Sequence, residues 1–314
     1  MADWQPSATL DTLRRRADLL MRIRSFFATA KVVEVDTPVL GVHGVTEPNI
    51  DNITAQVNGE RRYLQSSPEY FMKRLLAAGS GPIYYLGKVF RDGERGSRHS
   101  PEFTLLEWYR PGWDEYQLMA EIEQLFSSLS PRWAGDARQL SYREAFQDAT
   151  GFDPHSTDLR VLQQLASQAC SGDWSSESRA TCLDLLFSFV VEPTLHTGVV
   201  MIRDYPSCQS ALARLARDSE GVIVARRFEV FVDGMEIGNG YFELTDAVEQ
   251  RQRFAADIAL REAAGKPRRD SDPALLAALE AGLPASAGVA IGVDRLLMRM
   301  LDLDHIREVL PFVS

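Results

Sequence analysis

Residues 89–110 constrain the fold of this chain of 314 residues more than any other stretch. They read VFRDGERGSRHSPEFTLLEWYR, in which a loop with Gly93 and Gly96 joins two segments that alternate apolar and polar residues. Glycine adopts turn conformations that other residues avoid, and alternation is typical of a half-buried strand. The stretch therefore predicts a β-hairpin whose loop is free to carry a function.

The loop of this hairpin holds cationic and aromatic side chains that suit a nucleotide. Arg91, Arg95, Arg98 and His99 can donate hydrogen bonds to phosphate oxygens, and Phe103 offers a ring on which a base can stack. A charged hairpin tip that only faces water is the competing interpretation, because runs of charge are usually solvated. Charge alone leaves both interpretations open.

The composition limits the classes of protein to which the chain can belong. A formal net charge of -10 argues against a protein that binds nucleic acid without specificity. The three cysteines are an odd number without paired spacing, so neither a disulfide framework nor a zinc site is indicated, and a reduced, cytoplasmic location is expected. No apolar run approaches the ~20 residues of a membrane span.

A second hairpin, predicted over residues 226–243, brings two carboxylates together. Asp233-Gly234 is a strong signal for a tight turn, and pairing around it places Glu229 diagonally across from Glu236 on one sheet face. Two carboxylates on one face repel each other unless a cation lies between them, and magnesium prefers oxygen ligands. Two solvated glutamates on an exposed face are the alternative.

The sheet face on which the Glu243 side chain lies depends on the geometry of this hairpin. It lies seven residues beyond Glu236, so strict alternation would place the two side chains on opposite faces. Gly238-Asn239-Gly240 intervenes, and glycines within a strand often mark a bulge. We expect one extra residue there to turn Glu243 to the same side as Glu236.

Helical segments account for much of the remaining chain. Ser67 and Pro68 predict the start of a helix at which Glu69 either interacts with the helix dipole or points into a pocket. Residues 141–192 are predicted to be a mostly helical insertion, and no linker separates two domains. Residues 11–30 predict a helix with one apolar stripe that forms core or interface, made of Leu13, Ala17, Leu20, Ile23 and Phe27.

Three stretches, in order, resemble the class II aminoacyl-tRNA synthetases. Arg91, His99, Pro101-Glu102-Phe103 and Glu107 resemble motif 2, VEVDTPVL at 33–40 resembles motif 1, and GVAIGVDR at 288–295 resembles motif 3. The resemblance implies an α+β fold, in which a mostly antiparallel sheet is flanked by helices, as a single catalytic domain over 1–314. It also implies a homodimer formed through the motif 1 region.

The same resemblance implies that ATP activates a carboxylate as an acyl-adenylate with the help of Mg²⁺. It assigns catalytic roles to Arg91 and Arg295 and magnesium binding to Glu229 and Glu236. The implied ATP-binding residues are Arg91, Asp92, Glu94, His99, Ser100, Phe103, Glu236, Ile237, Gly292 and Arg295.

Within class II, SPEY, HSPEFTLLEWY and EIGNGYFELTDAVEQRQRF are similar to lysyl-tRNA synthetase. The likeness implies a substrate with an ammonium group, which carboxylates and a phenol can bind. The implied substrate-binding residues are Ser67, Pro68, Glu69, Glu107, Tyr109, Asn239, Tyr241, Glu243 and Ala290.

Two departures from that synthetase matter. Motif 1 begins so early that we expect no anticodon-binding domain, and Ala290 stands where the synthetase pattern has glycine. Both features, with SPEYFMKRLL and YPSCQSALA, are similar to the elongation factor P lysine ligase family. That likeness implies a ligase that transfers (R)-β-lysine to the ε-amine of a lysine on elongation factor P, with tRNA an unlikely partner.

Two alternatives stay open at this point. A minimal lysyl-tRNA synthetase-like enzyme would charge tRNA with lysine, and a catalytically dead paralogue would act as a regulatory subunit. The dead paralogue is disfavoured because Arg91, Arg295, Glu229 and Glu236 are all present.

Overall fold

The structure, a computed structural model, describes residues 4–135 and 137–313; the other positions of the predicted domain lie outside it. The chain divides into two compact units. The first unit comprises Met1–Trp113 and Thr245–Ser314, and the second comprises Asp114–Leu244. Within the described ranges, no helix combines the length and the apolar character needed to cross a membrane.

Helices and strands are numbered in chain order. The helices are α1 (Leu10–Thr29), α2 (Glu69–Ala77), α3 (Glu115–Leu129), α4 (Tyr142–Thr150), α5 (Leu159–Ala169), α6 (Arg179–Leu186), α7 (Ala247–Ala263), α8 (Pro273–Gly282) and α9 (Val293–Met300). The strands are β1 (Val33–Glu34), β2 (Leu40–Gly41), β3 (Thr54–Val57), β4 (Glu60–Leu64), β5 (Ile83–Phe90), β6 (Glu102–Pro111), β7 (Arg138–Ser141), β8 (Val199–Pro206), β9 (Leu215–Arg217), β10 (Ile223–Val232), β11 (Met235–Phe242) and β12 (Ser286–Gly292).

The first unit is built on strands in the order β1-β5-β6-β12, and a small sheet of order β2-β4-β3 accompanies them. β5 and β6 form the antiparallel hairpin that the sequence predicts for residues 89–110. β12 pairs with β6 antiparallel, whereas β1 pairs with β5 parallel. The strand that carries motif 2 therefore lies between two antiparallel neighbours.

Aromatic packing joins α1 to one face of this sheet. The ring of Phe27 stacks on that of Tyr84 with centroids 4.5 Å apart and meets the ring of Trp108 edge-on at 5.3 Å. Tyr84 and Trp108 are paired across β5 and β6, so their side chains share a face. Burial of these rings ties the helix to the motif 2 hairpin.

The apolar stripe predicted for α1 is only partly correct. Ile23 and Phe27 are buried as expected, but Ala17 is exposed and Arg16 is buried. The buried face of the helix turns toward Arg16 because its guanidinium has a buried carboxylate partner elsewhere in the unit, which the periodicity of α1 does not reveal.

The second unit contains strands in the order β11-β10-β8-β7, with β9 also paired to β10. Helices α4, α5 and α6 occupy the stretch predicted to be mostly helical, and α4 begins with a capping box formed by Ser141 and Glu144. The core of the second unit combines aliphatic residues with a group of aromatic side chains, formed by Tyr142, Phe146, Phe187, Tyr205 and Phe231.

Among the described residues, the larger strand pairings are antiparallel except at β1–β5 and β7–β8. Helices account for most of the other regular structure in both units. The predicted α+β fold, with mostly antiparallel strands flanked by helices, is therefore confirmed.

Candidate active site

β6 separates two sets of side chains. Because successive side chains of a strand point to opposite faces, Phe103, Glu107 and Tyr109 share one face, and Thr104 and Trp108 share the other. We call these the front face and the back face of β6. On β12, Ala290 lies opposite Glu107 and Gly292 lies opposite Leu105, so both belong to the front face. The front face thus combines residues predicted to bind ATP with residues predicted to bind the amino acid.

Glu107 is the central carboxylate of the front face. Its side chain is almost fully buried, with only 2 % of the residue exposed. One carboxylate oxygen accepts a hydrogen bond of 2.7 Å from the Ser67 hydroxyl, and the other accepts one of 2.8 Å from the Tyr109 hydroxyl. Two hydroxyl donors thereby fix the orientation of a buried acid whose neighbour on β12 is the Ala290 methyl group.

The start of α2 contributes to this arrangement. The helix begins at Glu69 with Pro68 as its N-cap residue, so Ser67 lies just outside it. The Ser67 hydroxyl still accepts a hydrogen bond of 3.0 Å from the Glu69 amide while donating to Glu107. Ser67 therefore couples the first amide of α2 to the central carboxylate, a more specific role than the simple cap that the sequence predicts.

Glu69 has a partner that the sequence prediction missed. Its carboxylate lies 2.7 Å from the ammonium group of Lys73, whose side chain is buried. The two residues are one helical turn apart, and this spacing of opposite charges was the available signal. Glu69 occupies the first turn of α2 as predicted, and its contact with substrate stays a prediction.

The motif 2 loop places Arg91 next to Phe103. The Arg91 amide donates to the Pro101 carbonyl oxygen at 2.9 Å, which closes the base of the loop. The Arg91 guanidinium lies over the Phe103 ring, 5.1 Å from its centroid, and 3.9 Å from the Glu94 carboxylate. The predicted phosphate-binding cation and the predicted adenine-stacking ring are therefore neighbours.

Arg295, in the first turns of α9, contacts the same loop. Its Nε donates to the Arg98 carbonyl oxygen at 3.2 Å, and its Nη2 lies 2.5 Å from His99 Nε2. His99 in turn lies 3.5 Å from the Glu94 carboxylate. Five of the predicted ATP-binding residues thus contact one another at the loop, and the structure brings motifs 2 and 3 together within the first unit.

A network of charges anchors the beginning of the loop. The Asp92 amide donates to the Asp51 carbonyl oxygen at 2.7 Å. The Asp51 carboxylate pairs with Arg261 at 2.6 Å and with Lys266 at 2.9 Å. Although burial acts to raise it, these two cations hold the pKa of Asp51 below its ordinary value. Sequence patterns could not predict this support for Asp92, because Asp51, Arg261 and Lys266 lie far from it along the chain.

In the second unit, β10 and β11 pair around the predicted turn at Asp233-Gly234. Phe231 lies opposite Glu236, but the next pair is Val230 with Gly238, so Ile237 is an extra residue. The bulge that the sequence predicts at Gly238-Asn239-Gly240 is therefore present, one residue earlier than expected.

The bulge brings the predicted residues of this hairpin to one face. Glu229 lies opposite Asn239 and Arg227 opposite Tyr241, so these side chains share the face that carries Glu236. Glu243 follows Tyr241 by two residues in extended backbone, is buried, and pairs with Ala213 in an isolated bridge. The register thus supports the prediction that Glu243 turns to the side of Glu236.

Glu229 and Glu236 line a cavity of about 130 Å³ within the second unit, together with Asp184, Tyr205 and Gln209. Burial raises the pKa of the Glu229 carboxyl to about 7, which the charge of Arg227 opposes and that of Glu236 reinforces. Arg227 donates to Glu229 at 2.6 Å. Arg227 was missed, although its position two residues before Glu229 on a strand puts both on one face.

This pair of carboxylates fits a magnesium ion. Glu229 and Glu236 share the cavity with Asp184, and a divalent cation would relieve the repulsion among these carboxylates. No group of three or more His, Cys, Asp or Glu in residues 4–135 and 137–313 could hold a metal ion. Magnesium is commonly bound by one or two carboxylates, with phosphate and water oxygens completing its octahedron, so a pair suffices.

Comparison with known proteins identifies the family. The sequence model of the family of class II tRNA synthetases (D, K and N) matches residues 1–314. The elongation factor P–(R)-β-lysine ligase of Edwardsiella ictaluri is 45% identical over 323 residues, covering 99% of this chain and 98% of that protein. This chain belongs to the elongation factor P–(R)-β-lysine ligase family, within the class II tRNA synthetases.

Other members of the elongation factor P–(R)-β-lysine ligase family agree. The ligase of Mannheimia succiniciproducens is 45% identical over 98% of this chain and 97% of its own length, and that of Haemophilus influenzae is 42% identical over the same shares. The predicted class II fold and the predicted family are both confirmed. The similarity extends over both units, so it includes the front face of β6 and the β10–β11 hairpin.

Proposed function

We propose that this chain is an ATP-dependent ligase that attaches (R)-β-lysine to elongation factor P. The carboxylate of β-lysine attacks the α-phosphate of ATP, so that pyrophosphate leaves and an acyl-adenylate forms. The ε-amine of one lysine on elongation factor P then attacks the acyl carbon, AMP leaves, and the amine loses a proton. The observation that carries the proposal is 45% identity over nearly the full length to ligases of this name.

The front face of β6 supports the first step. We assign Arg91 to the α-phosphate, because its guanidinium lies over one face of the Phe103 ring, on which adenine would stack. Arg295, whose Nε donates to the Arg98 carbonyl oxygen of the motif 2 loop, would neutralise the far phosphates. Fixed cations placed where negative charge develops are a major source of rate enhancement in phosphate chemistry. Asp92, Glu94, His99, Ser100, Ile237 and Gly292 remain predicted ATP contacts.

Glu107 supports the choice of a cationic amino acid. We assign its buried carboxylate, held by Ser67 and Tyr109, to an ammonium group of the substrate. Ala290 lies beside it on β12, where the added methyl group narrows the space available to the backbone end of the amino acid. Pro68, Glu69, Asn239, Tyr241 and Glu243 remain predicted substrate contacts.

Glu229 and Glu236 would hold the magnesium ion. When bound, the ion supplies positive charge to the phosphate oxygens of ATP. The two side chains line one cavity, and Arg227 pairs with Glu229 there.

The proposal extends to assembly and location. A homodimer through motif 1 is supported by Met21 on α1 and Val33 on β1, which are 58% and 57% exposed. Free cysteines and the proposed use of ATP and elongation factor P favour a cytoplasmic location. Charging of tRNA is not part of the proposal, because the full-length relatives are named for elongation factor P.

Amino-acid-dependent exchange of pyrophosphate into ATP tests the activation step. We expect rapid exchange with (R)-β-lysine and magnesium, and at least about tenfold less with α-lysine, since one misplaced polar group commonly costs this much. Ala290→Gly should narrow that difference. Exchange that proceeds equally well with α-lysine, and does not respond to Ala290→Gly, would contradict the assignment of the substrate.

A further inference from the structure

A buried polar network lies behind the proposed ATP-binding residues. It joins Arg16 of α1, Thr104 of β6 and Asp294 of α9, which are 8%, 4% and 2% exposed. Arg16 Nη1 donates to Asp294 Oδ1 at 2.5 Å, and Arg16 Nη2 donates to the Thr104 hydroxyl at 2.6 Å. The Thr104 amide donates to Asp294 Oδ2 at 2.8 Å, which closes a ring of three hydrogen bonds.

Two members of this ring are adjacent in sequence to proposed ATP contacts. Thr104 follows Phe103 on β6, and Asp294 precedes Arg295 on α9. We infer that Arg16 is a positioning residue for ATP, which fixes Phe103 and Arg295 relative to each other from the back face of β6. This inference rests on the proposed function, because it takes Phe103 and Arg295 as the ATP contacts.

The chemistry of arginine makes this arrangement specific. A guanidinium is a planar fork whose two terminal nitrogens can serve two acceptors at once, here on a strand and on a helix. Arg16 Nη1 also approaches the Val309 carbonyl oxygen at 3.4 Å. A lysine at this position keeps the charge opposite Asp294 but presents a single nitrogen, so it cannot reproduce both directions of the fork.

Loss of the Arg16 contacts should impair the use of ATP more than the recognition of the amino acid. Catalytic groups need their geometry held closely, and a displacement of about 1 Å can reduce a rate roughly a hundredfold. A shift of α9 against β6 would move Arg295 away from Phe103 and weaken ATP binding or activation. Ser67, Glu107 and Tyr109 form their own hydrogen bonds on the front face, so recognition of the amino acid should change little.

Arg16→Lys is the test, with Arg24→Lys as the matched control. Arg24 lies on the same helix and also pairs with a carboxylate, that of Glu34 at 3.1 Å, but these side chains are 47% and 40% exposed, so the pair lies outside the buried ring. Pyrophosphate exchange gives kcat and KM for each substrate, and thermal unfolding shows that the variants fold.

For Arg16→Lys we expect kcat/KM for ATP to fall about tenfold or more, with KM for β-lysine changed less than about threefold. Arg24→Lys should match the parent enzyme. An Arg16→Lys variant that is less stable but keeps kcat/KM for ATP, or that loses ATP and amino-acid recognition equally, would overturn the inference in favour of a purely structural ion pair.

Two further variants keep the test decisive if Arg16→Lys does not fold. Thr104→Val removes one acceptor of the fork and keeps the amide bond to Asp294, whereas Thr104→Ser retains the hydroxyl. Thr104→Val should reproduce the selective loss of ATP recognition. Thr104→Ser should recognise ATP as well as the parent enzyme does. Equal behaviour of the two variants would overturn the inference.

A double variant separates this inference from the proposed function. If Arg16 acts through Phe103 and Arg295, Arg16→Lys should add less than about threefold to the loss caused by Phe103→Ala, because coupled residues are not additive. Fully additive losses would contradict the role of Arg16 while leaving the ligase intact. A parent enzyme that does not bind ATP in calorimetry would instead refute the proposed function, and the inference with it.

Discussion

The two faces of β6 differ in what their side chains do. On the front face, the side chains of Phe103, Glu107 and Tyr109 are the proposed substrate contacts. The backbone of β6 that carries them pairs with β5 on one side and β12 on the other. On the back face, Trp108 is fully buried against Phe27 of α1. One strand therefore serves recognition on odd-numbered positions and stability on even-numbered ones. The Arg16–Thr104–Asp294 ring is where the back face is expected to affect the front.

Trp108→Ala should have the largest effect, and it tests the back face. Removing a fully buried tryptophan side chain costs about 3–5 kcal/mol of unfolding free energy, from lost burial and the cavity left behind. Denaturant unfolding measures this loss. The fraction that remains folded should keep a normal KM for β-lysine. A stable variant with impaired substrate binding would break the separation between the two faces.

Arg91→Ala tests the front face. We expect adenylate formation to fall roughly 100- to 1,000-fold, because a fixed cation at the α-phosphate is lost, while the unfolding free energy changes by less than about 1 kcal/mol. Arg95→Ala in the same loop is the matched control and should retain most of the activity. Equal losses in both variants would show that the loop contributes only overall positive charge.

Glu107→Gln sharpens the comparison within the front face. It keeps the shape and an oxygen for hydrogen bonding but removes the charge opposite the substrate ammonium group. KM for β-lysine should rise about 10- to 30-fold, equivalent to about 1.5–2 kcal/mol, and KM for ATP should stay within about threefold. Tyr109→Phe, which removes one supporting hydroxyl, should show a smaller rise. A matching increase in KM for ATP would mean that Glu107 shapes the whole face and does not select the amino acid.

Asp257 of α7 offers the smallest predicted effect and a contrast with Glu107. The Thr46 hydroxyl donates to it at 3.2 Å, and burial raises the pKa of its carboxyl from 3.8 to about 6. Because the folded-state pKa is the higher one, the folded protein binds the proton more tightly, and this group makes stability fall as pH rises from about 4 to about 6. Asp257→Asn should remove that slope and stabilise the protein at pH 7 by on the order of 1–2 kcal/mol.

Thermal unfolding at pH 4, 5, 6 and 7 measures this effect. Thr46→Val is the control, since it removes the hydroxyl donor and should raise the pKa of Asp257 further. An Asp257→Asn variant with the same pH dependence as the parent would show that another group titrates in this range. Loss of activity without a change in stability would place Asp257 among the functional carboxylates.

Local signals in the sequence predicted the hairpins of the site correctly. The turn at Asp233-Gly234 depends on two adjacent residues, whose φ angles are 48° and 75°, so it could be recognised without knowledge of the rest of the fold. The bulge was predicted one residue late. Glycines signalled the irregularity, but the extra residue is Ile237, since register depends on how both strands pack.

Interactions between residues far apart along the chain could not be predicted from sequence patterns. Arg16 and Asp294 are 278 positions apart, and nothing in the pattern of α1 distinguishes a buried arginine from the exposed ones beside it. The predicted stripe therefore placed Ala17 inside and Arg16 outside. The motif resemblance identified the front-face residues, and the partners that hold them in place became apparent only in the structure.

Intact-mass analysis of elongation factor P tests the central claim most directly. Elongation factor P is incubated with this protein, ATP, magnesium and (R)-β-lysine, alongside a parallel reaction that offers tRNA and α-lysine. We predict that elongation factor P gains the mass of one lysyl group, that Arg91→Ala abolishes the gain, and that tRNA stays uncharged. Charged tRNA together with unmodified elongation factor P would contradict the account and identify a minimal synthetase.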